Sequence, residues 1–244
     1  MIEVDQLTKV FADRKRGRVE ALRGLSFTCR PGEVFGLLGP NGAGKTTALR
    51  IISTALRPTS GDGKVMGYDL RTQSTEVRRN IGFLSGSTGL YGRLTAREVL
   101  TYFGRLFRMG AGHIRTRIAE LAETFQMHDF LDRPCDKLST GMRQKVNIAR
   151  TVLHSPPVMV LDEPTVGLDV VTSRAIVEFI RECRRAGRTV LFSTHIMAEV
   201  QKLCDRVVVI HEGRTCFYGQ VDEIRARHGD DLDEAFVQLI EEAV

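Results

Sequence analysis

No stretch of the sequence approaches the roughly 18 to 20 consecutive apolar residues that cross a bilayer, so the chain is not expected to span a membrane by itself. Its first residues, Met1-Ile2-Glu3-Val4-Asp5, have neither the basic start nor the apolar segment of a secretory leader, which makes a cytoplasmic location the expectation. Cysteines are few, odd in number and scattered. Cys29, Cys135, Cys183, Cys204 and Cys216 form no C-x-x-C pair and read as reduced packing residues rather than metal ligands or disulfides. Tryptophan is absent, proline numbers seven, and no repeat of 20 to 50 residues is visible, which removes collagen-like chains, solenoids and propellers. What remains, 244 residues of which 42% are hydrophobic and 27% charged, is the composition of a folded protein able to bury its own core.

Negative charge is scarce over most of the chain and concentrated at its end. The net charge is +5, yet from Asp222 onward there are eight acids and two bases, so the positive excess sits on residues 1–221. An acidic ligand should therefore meet the body, not the tail.

Alternating positions such as Ile2-Glu3-Val4 and Val19-Glu20-Ala21-Leu22 predict short antiparallel strands, with a basic turn at 13–18 that either closes a hairpin or touches a phosphate or partner. The apolar run Val34-Phe35-Gly36-Leu37-Leu38 predicts a buried strand, followed by a glycine-rich loop and a helix from Thr46 to Leu56. Residues 58–63 read as a helix breaker, with short strands after it near 64–68 and 81–84. From about Thr95 to Leu153 the spacing is helical, with Val99, Leu100, Phe103, Leu106 and Phe107 on one apolar face. Beyond Val158, apolar runs at 158–161, 189–192 and 206–210 alternate with helices, the pattern of a parallel sheet covered on both faces. Residues 231–244 read as an acidic amphipathic helix.

Gly39-Pro40-Asn41-Gly42-Ala43-Gly44-Lys45-Thr46 fills every fixed position of G-x-x-x-x-G-K-[ST], a pattern for which roughly 0.01 chance matches are expected in such a chain. Its glycines let consecutive backbone N–H groups turn toward phosphate oxygens while the next helix presents its positive dipole end. Lys45 can reach the β- and γ-phosphates of a nucleotide, and the Thr46 hydroxyl can ligate Mg²⁺. The strand 158–161 ends in Asp162-Glu163, which puts two carboxylates at the edge of the sheet where nucleotides sit. Asp162 is placed to hold Mg²⁺ through its water shell, and Glu163 to orient or deprotonate an attacking water. His195 closes the strand 189–194 at the same edge, where an imidazole can hydrogen-bond a γ-phosphate or support the base. The remaining histidines read as surface or packing residues.

Leu138-Ser139-Thr140-Gly141-Met142 starts a helix with Ser139 or Thr140 as its cap. Together with the phosphate loop and the Asp162-Glu163-Pro164-Thr165 run about twenty residues later, it resembles the ATP-binding cassette ATPases, whose signature is Leu-Ser-Gly-Gly-Gln; Thr140 and Met142 depart from that signature. The wording of 86–91 and 138–142 is most similar to the sodium-extruding NatA type of exporter ATPase.

The resemblance covers nearly the whole chain. It implies an α/β fold: a P-loop NTPase core with a mostly parallel sheet (1–84 and 155–221), an N-terminal antiparallel β subdomain, an inserted helical subdomain (85–154) and an acidic helical extension (222–244). It further implies ATP hydrolysis with Mg²⁺, Glu163 and His195 as catalytic residues, and Thr46 and Asp162 at the metal. Phe11 would stack on adenine, Gly39 to Thr47 would hold the phosphates, and Ser139, Thr140 and Gly141 would face a nucleotide bound by a second copy. Gly167-Leu168-Asp169 resembles the loop that crosses this head-to-tail homodimer. Membrane-spanning subunits would carry out export of sodium ions or another small substrate, with this chain peripheral to the inner face of the cell membrane. One departure concerns residues 85–88, Ser-Gly-Ser-Thr, where the family keeps a glutamine. A soluble cassette ATPase acting on DNA or ribosomes is the alternative. The interval of 94 positions from Lys45 to Ser139 carries no heptad run, and no nucleic-acid partner is expected.

Overall fold

The computed structural model describes residues 1–13, 17–86 and 89–242. Arg14, Lys15, Arg16, Ser87 and Thr88, on which two of the expectations above fall, lie outside the described residues. Among the described residues, ten strands form two sheets. β1 (Ile2–Asp13), β2 (Gly17–Cys29), β4 (Ser60–Val65) and β5 (Tyr68–Asp69) make an antiparallel sheet in the order β2-β1-β4-β5. β3 (Val34–Leu38), β6 (Ile81–Leu84), β7 (Val158–Asp162), β8 (Thr189–Thr194), β9 (Arg206–His211) and β10 (Arg214–Gln220) make the second sheet, in the order β10-β9-β3-β8-β7-β6. Only β10 runs antiparallel there; the other pairings are parallel.

The first two strands are long, not short, because one continuous antiparallel ladder from Ile2 opposite Cys29 to Asp13 opposite Gly17 absorbs irregularities in register without breaking. α1 (Lys45–Ile52) stops four residues before Leu56, where Thr54 takes a left-handed φ of 60°. Residues 60–63 belong to β4, since pairing with β1 gives this polar, glycine-rich segment a ladder.

Among the described residues, three apolar cores hold the layers together. The continuous apolar run of β7 is divided between two of them: Val158 and Val160 pack with α1 and the antiparallel sheet, Met159 and Leu161 with the helices beyond the other face. Those helices are α3 (Ala96–Leu106), α4 (Ala111–Thr124), α5 (Thr140–Val152) and α6 (Val170–Arg185); the short α2 (Ser74–Asn80) buries only Val77. Thr95 and Glu98 close a reciprocal capping box at the start of α3. Val99 and Leu100 are fully buried, whereas Leu106 is 59% exposed and Phe107 37%, so the apolar face of α3 is only half used by this chain. The third core joins α7 (Met197–Leu203), β10, α8 (Val221–His228) and α9 (Leu232–Glu241). The cysteines are all free, and burial pushes the Cys183 thiol up to about 11.

His154 is a packing residue, as expected. Its ring stacks on Phe107 with centroids 3.6 Å apart, and Nε2 donates to the Ile81 carbonyl at 3.0 Å. Burial pushes its pKa down to about 4, so the folded chain holds it neutral where the unfolded chain binds a proton. Stability should therefore fall as pH drops from 6.5 towards 4, by at most about 1.4 kcal/mol per pH unit from this group. Urea midpoints across that range should decline less steeply for His154→Phe than for the parent; identical slopes would remove His154 as the cause.

Candidate nucleotide site

Strand order builds the site. β8 lies between β3 and β7, with Leu38 opposite Thr194 and Asp162 opposite Ser193, so the loops leaving all three carboxyl ends meet at one edge. The loop after β3 runs into α1, and Gly44 stands at its N-cap with φ 109°; a Cβ there would come within 2.4 Å of the Ala21 carbonyl oxygen. Gly39 is as tightly placed, 2.3 Å from the Ile210 carbonyl oxygen by the same measure. The loop is thus pressed against both sheets, and Gly213 N–H donates to the Ala43 carbonyl at 2.9 Å to close the contact.

A cavity of about 230 Å³ opens over this loop, lined by Pro40, Asn41, Gly42, Gly44, Lys45, Thr46 and Thr47 together with Ala21 and Glu163. Larger clefts of 660 and 730 Å³ lie against Arg214 and along the antiparallel sheet, but neither contains a phosphate-loop residue, Asp162, Glu163 or His195, so chemistry rather than size selects the site. The Lys45 ammonium is buried and donates to the Gly39 carbonyl at 2.7 Å and to that of Pro40 at 3.2 Å. It also lies 3.3 Å from Glu163 Oε1. That same oxygen is 3.3 Å from His195 Nδ1, so the cation and the imidazole converge on one carboxylate oxygen.

Glu163 has a left-handed backbone, φ 46°, unusual for a residue with a side chain and held by its N–H donating to Ser193 Oγ at 3.0 Å. Ser193 in turn donates to Asp162 Oδ1 at 2.8 Å, and Thr46 Oγ1 donates to the same oxygen at 3.1 Å. A hydroxyl and a carboxylate side by side are hard oxygen donors of the kind Mg²⁺ takes. Among the described residues no group of three or more His, Cys, Asp or Glu could hold a metal ion.

The expected signature residues lie elsewhere. Ser139 caps α5, its hydroxyl accepting the Met142 N–H at 3.2 Å, and neither it, Thr140 nor Gly141 lines the phosphate cavity. Instead a Cβ on Gly141 would meet Thr172 Oγ1 at 2.9 Å, beside Asp169, which caps α6. The Thr172 backbone N–H holds the Asp169 carboxyl below its usual range. Gln144 Nε2 donates to the Pro164 carbonyl at 2.8 Å and ties α5 to the loop after Asp162. Phe11 does not line the cavity either. It sits opposite Val19 in the β1–β2 ladder, two residues along the strand from the lining residue Ala21, with Lys9 Nζ 5.0 Å from its ring and 38% of its surface exposed.

The ABC transporter family pattern matches residues 22–166. The ABC transporter ATP-binding protein NatA of Bacillus subtilis (strain 168) is 44% identical over 242 residues, covering 98% of each chain. The chain belongs to the ABC transporter ATP-binding family. It is accordingly an ATPase of this family, with ATP as its nucleotide. The Nod factor export ATP-binding protein I of Ralstonia nicotianae is 38% identical over 229 residues, 90% of this chain and 71% of that protein. A dimeric ATP-binding cassette solved in a post-hydrolysis state with ADP and phosphate superposes with a TM-score of 0.83 at 26% identity, over 91% of this chain and 99% of that one. Where ABC ATPases keep their glutamine, Ser85 is buried and Gly86 is exposed. A Cβ at Gly86 would lie 3.9 Å from the Asp162 carbonyl oxygen, an ordinary contact. Ser193, Thr165 and Glu199 hydrogen-bond around the loops that carry Asp162, Glu163 and His195, and their one signal in the sequence is the Ser193-Thr194 pair that follows Val190-Leu191-Phe192 at the end of β8.

Proposed function

We propose that this chain hydrolyses Mg²⁺·ATP to drive export through separate membrane-spanning subunits, working as a head-to-tail pair at the inner face of the cell membrane. The observation that carries the catalytic part is the convergence of Lys45 and His195 on Glu163 Oε1, 3.3 Å from each, at the mouth of the phosphate loop. The loop N–H groups bind phosphate oxygens and Lys45 offsets their charge. Thr46 and Asp162 would hold Mg²⁺, which would supply further charge neutralisation at the phosphates. Glu163 accepts the proton of the attacking water, while His195, donating from Nδ1, holds the carboxylate in place. Phe11 offers a ring face to adenine.

Two surfaces support the partners. Val166, Val170 and Val171 are 43%, 68% and 78% exposed around Gly167-Leu168-Asp169, beside the Ser139 helix start, and suit a second copy whose ATP that helix end would face. On the helical subdomain Tyr91 meets Tyr102 edge-on at 5.9 Å, and Tyr102 meets Phe103 at 5.5 Å. Tyr91, Tyr102 and Leu106 are exposed apolar side chains in a segment, 71–120, that holds nine arginines and three acids. Leu90, the neighbour of Tyr91 in the chain, is partly buried against the core, so Tyr91 is the better probe.

Tyr91→Asp should leave ATPase activity within about two-fold of the parent, because it touches no residue of the phosphate cavity, yet abolish co-purification with the membrane subunits and transport in vesicles. Sodium ions are the first substrate to assay. Normal assembly and transport by this variant would move the docking surface elsewhere.

A further inference from the structure

The residues proposed as base and supporting imidazole sit on different strands, and their 3.3 Å contact requires the loops after β7 and β8 to stay in register. Ser193 joins the two loops on one side, through Asp162 Oδ1 and the Glu163 N–H. On the other side stands Glu199 of α7, a carboxylate only 8% exposed. Thr165, two residues after Glu163, donates its hydroxyl to Glu199 Oε1 at 2.5 Å; Thr194, immediately before His195, donates to Oε2 at 3.0 Å. The Thr194 hydroxyl also accepts the Ile196 N–H at 3.1 Å, which fixes the turn on the far side of His195. Thr165 is 4% exposed and Thr194 0%, so these bonds compete with little water.

A buried carboxylate is a costly way to fill space, and an apolar side chain would occupy the same volume without that cost. What a carboxylate adds is two acceptor oxygens on one rigid plane, each taken here by a hydroxyl from a different loop. We infer that Glu199 is a positioning residue for hydrolysis: it clamps the loop of Glu163 to the loop of His195 and so holds the two at working distance, an inference that rests on the roles proposed above for that pair.

Steady-state ATPase kinetics and nucleotide binding on the full chain test this. Glu199→Ala should lower kcat by about ten- to a hundred-fold, the cost of misplacing a catalytic group by about an ångström, while KM and Kd for ATP stay within about two-fold. Glu199→Gln, which keeps one acceptor oxygen and the planar shape, should recover most of the rate. In a His195→Ala background, Glu199→Ala should slow turnover by less than about two-fold, because the contact it maintains is already gone. Thr194→Val is a second, nearly isosteric probe that cuts one arm of the clamp and should reproduce the kcat loss in smaller degree, and it reports even if Glu199→Ala does not fold. Loss of ATP affinity in step with kcat, multiplicative effects with His195→Ala, or parental kcat in Thr194→Val would each overturn the inference. If His195→Ala itself turned over at the parental rate, the reading beneath it would fail; a slow His195→Ala beside a normal Glu199→Ala would refute the clamp alone.

Discussion

Glu163→Gln is expected to bind Mg²⁺·ATP with undiminished affinity and to hydrolyse it about 10²- to 10⁴-fold more slowly than the parent, the usual worth of a general base. The substitution keeps the side chain's size and the backbone held by Ser193 Oγ, and removes only the proton acceptor on which Lys45 and His195 converge. Affinity should hold or rise, since Lys45 no longer shares its charge with a neighbouring carboxylate. With hydrolysis blocked, the nucleotide-bound pair should persist, so that sizing chromatography shows a dimer with Mg²⁺·ATP and a monomer without. A variant that stays monomeric and turns over normally would remove Glu163 as the base.

Lys45→Ala should act on the other side of the same site. A buried cation already hydrogen-bonded to the Gly39 and Pro40 carbonyls is lost, together with its bond to the phosphates. ATP affinity should fall by about 1.5 to 3 kcal/mol, roughly ten- to 150-fold, and hydrolysis should become undetectable at cellular ATP concentrations. The fold should survive, because the Gly39 and Pro40 carbonyls left behind sit beside the phosphate cavity, which the shortened side chain opens to water. Fluorescent-nucleotide titration and a thermal melt separate the two effects; turnover at the parental rate would exclude an ATPase that works through this loop.

The phosphate loop, the two strand-end carboxylates and His195 were legible in the sequence because each follows an apolar run too uniform to be anything but a buried parallel strand. Edges of the fold were harder to read. Ser60-Gly61-Asp62-Gly63 is polar and glycine-rich, the composition of a turn, and becomes strand only through pairing with β1, a partner more than fifty residues away. Helix α2 buries a single residue, Val77, so no periodicity announces it. β10 lies on the rim of its sheet and alternates polar with apolar residues at only a few positions. The residues that tie the loops together are hard to read for a different reason: Ser193 and Thr194 show only as two hydroxyls at the end of a buried strand, and Glu199 looks like an ordinary surface acid of a short helix until its burial is seen. Leu90 and Tyr91 show the same limit in reverse, since adjacent residues on one loop divide between core and solvent.

The sharing of each ATP by two copies is measured directly by the structure of the Glu163→Gln chain crystallised with Mg²⁺·ATP. It should contain a two-fold pair in which each γ-phosphate lies within hydrogen-bonding distance of Lys45 of one copy and of the α5 start, Ser139 to Gly141, of the other. A nucleotide whose every phosphate contact comes from a single chain, with the Ser139 helix turned to solvent, would contradict it.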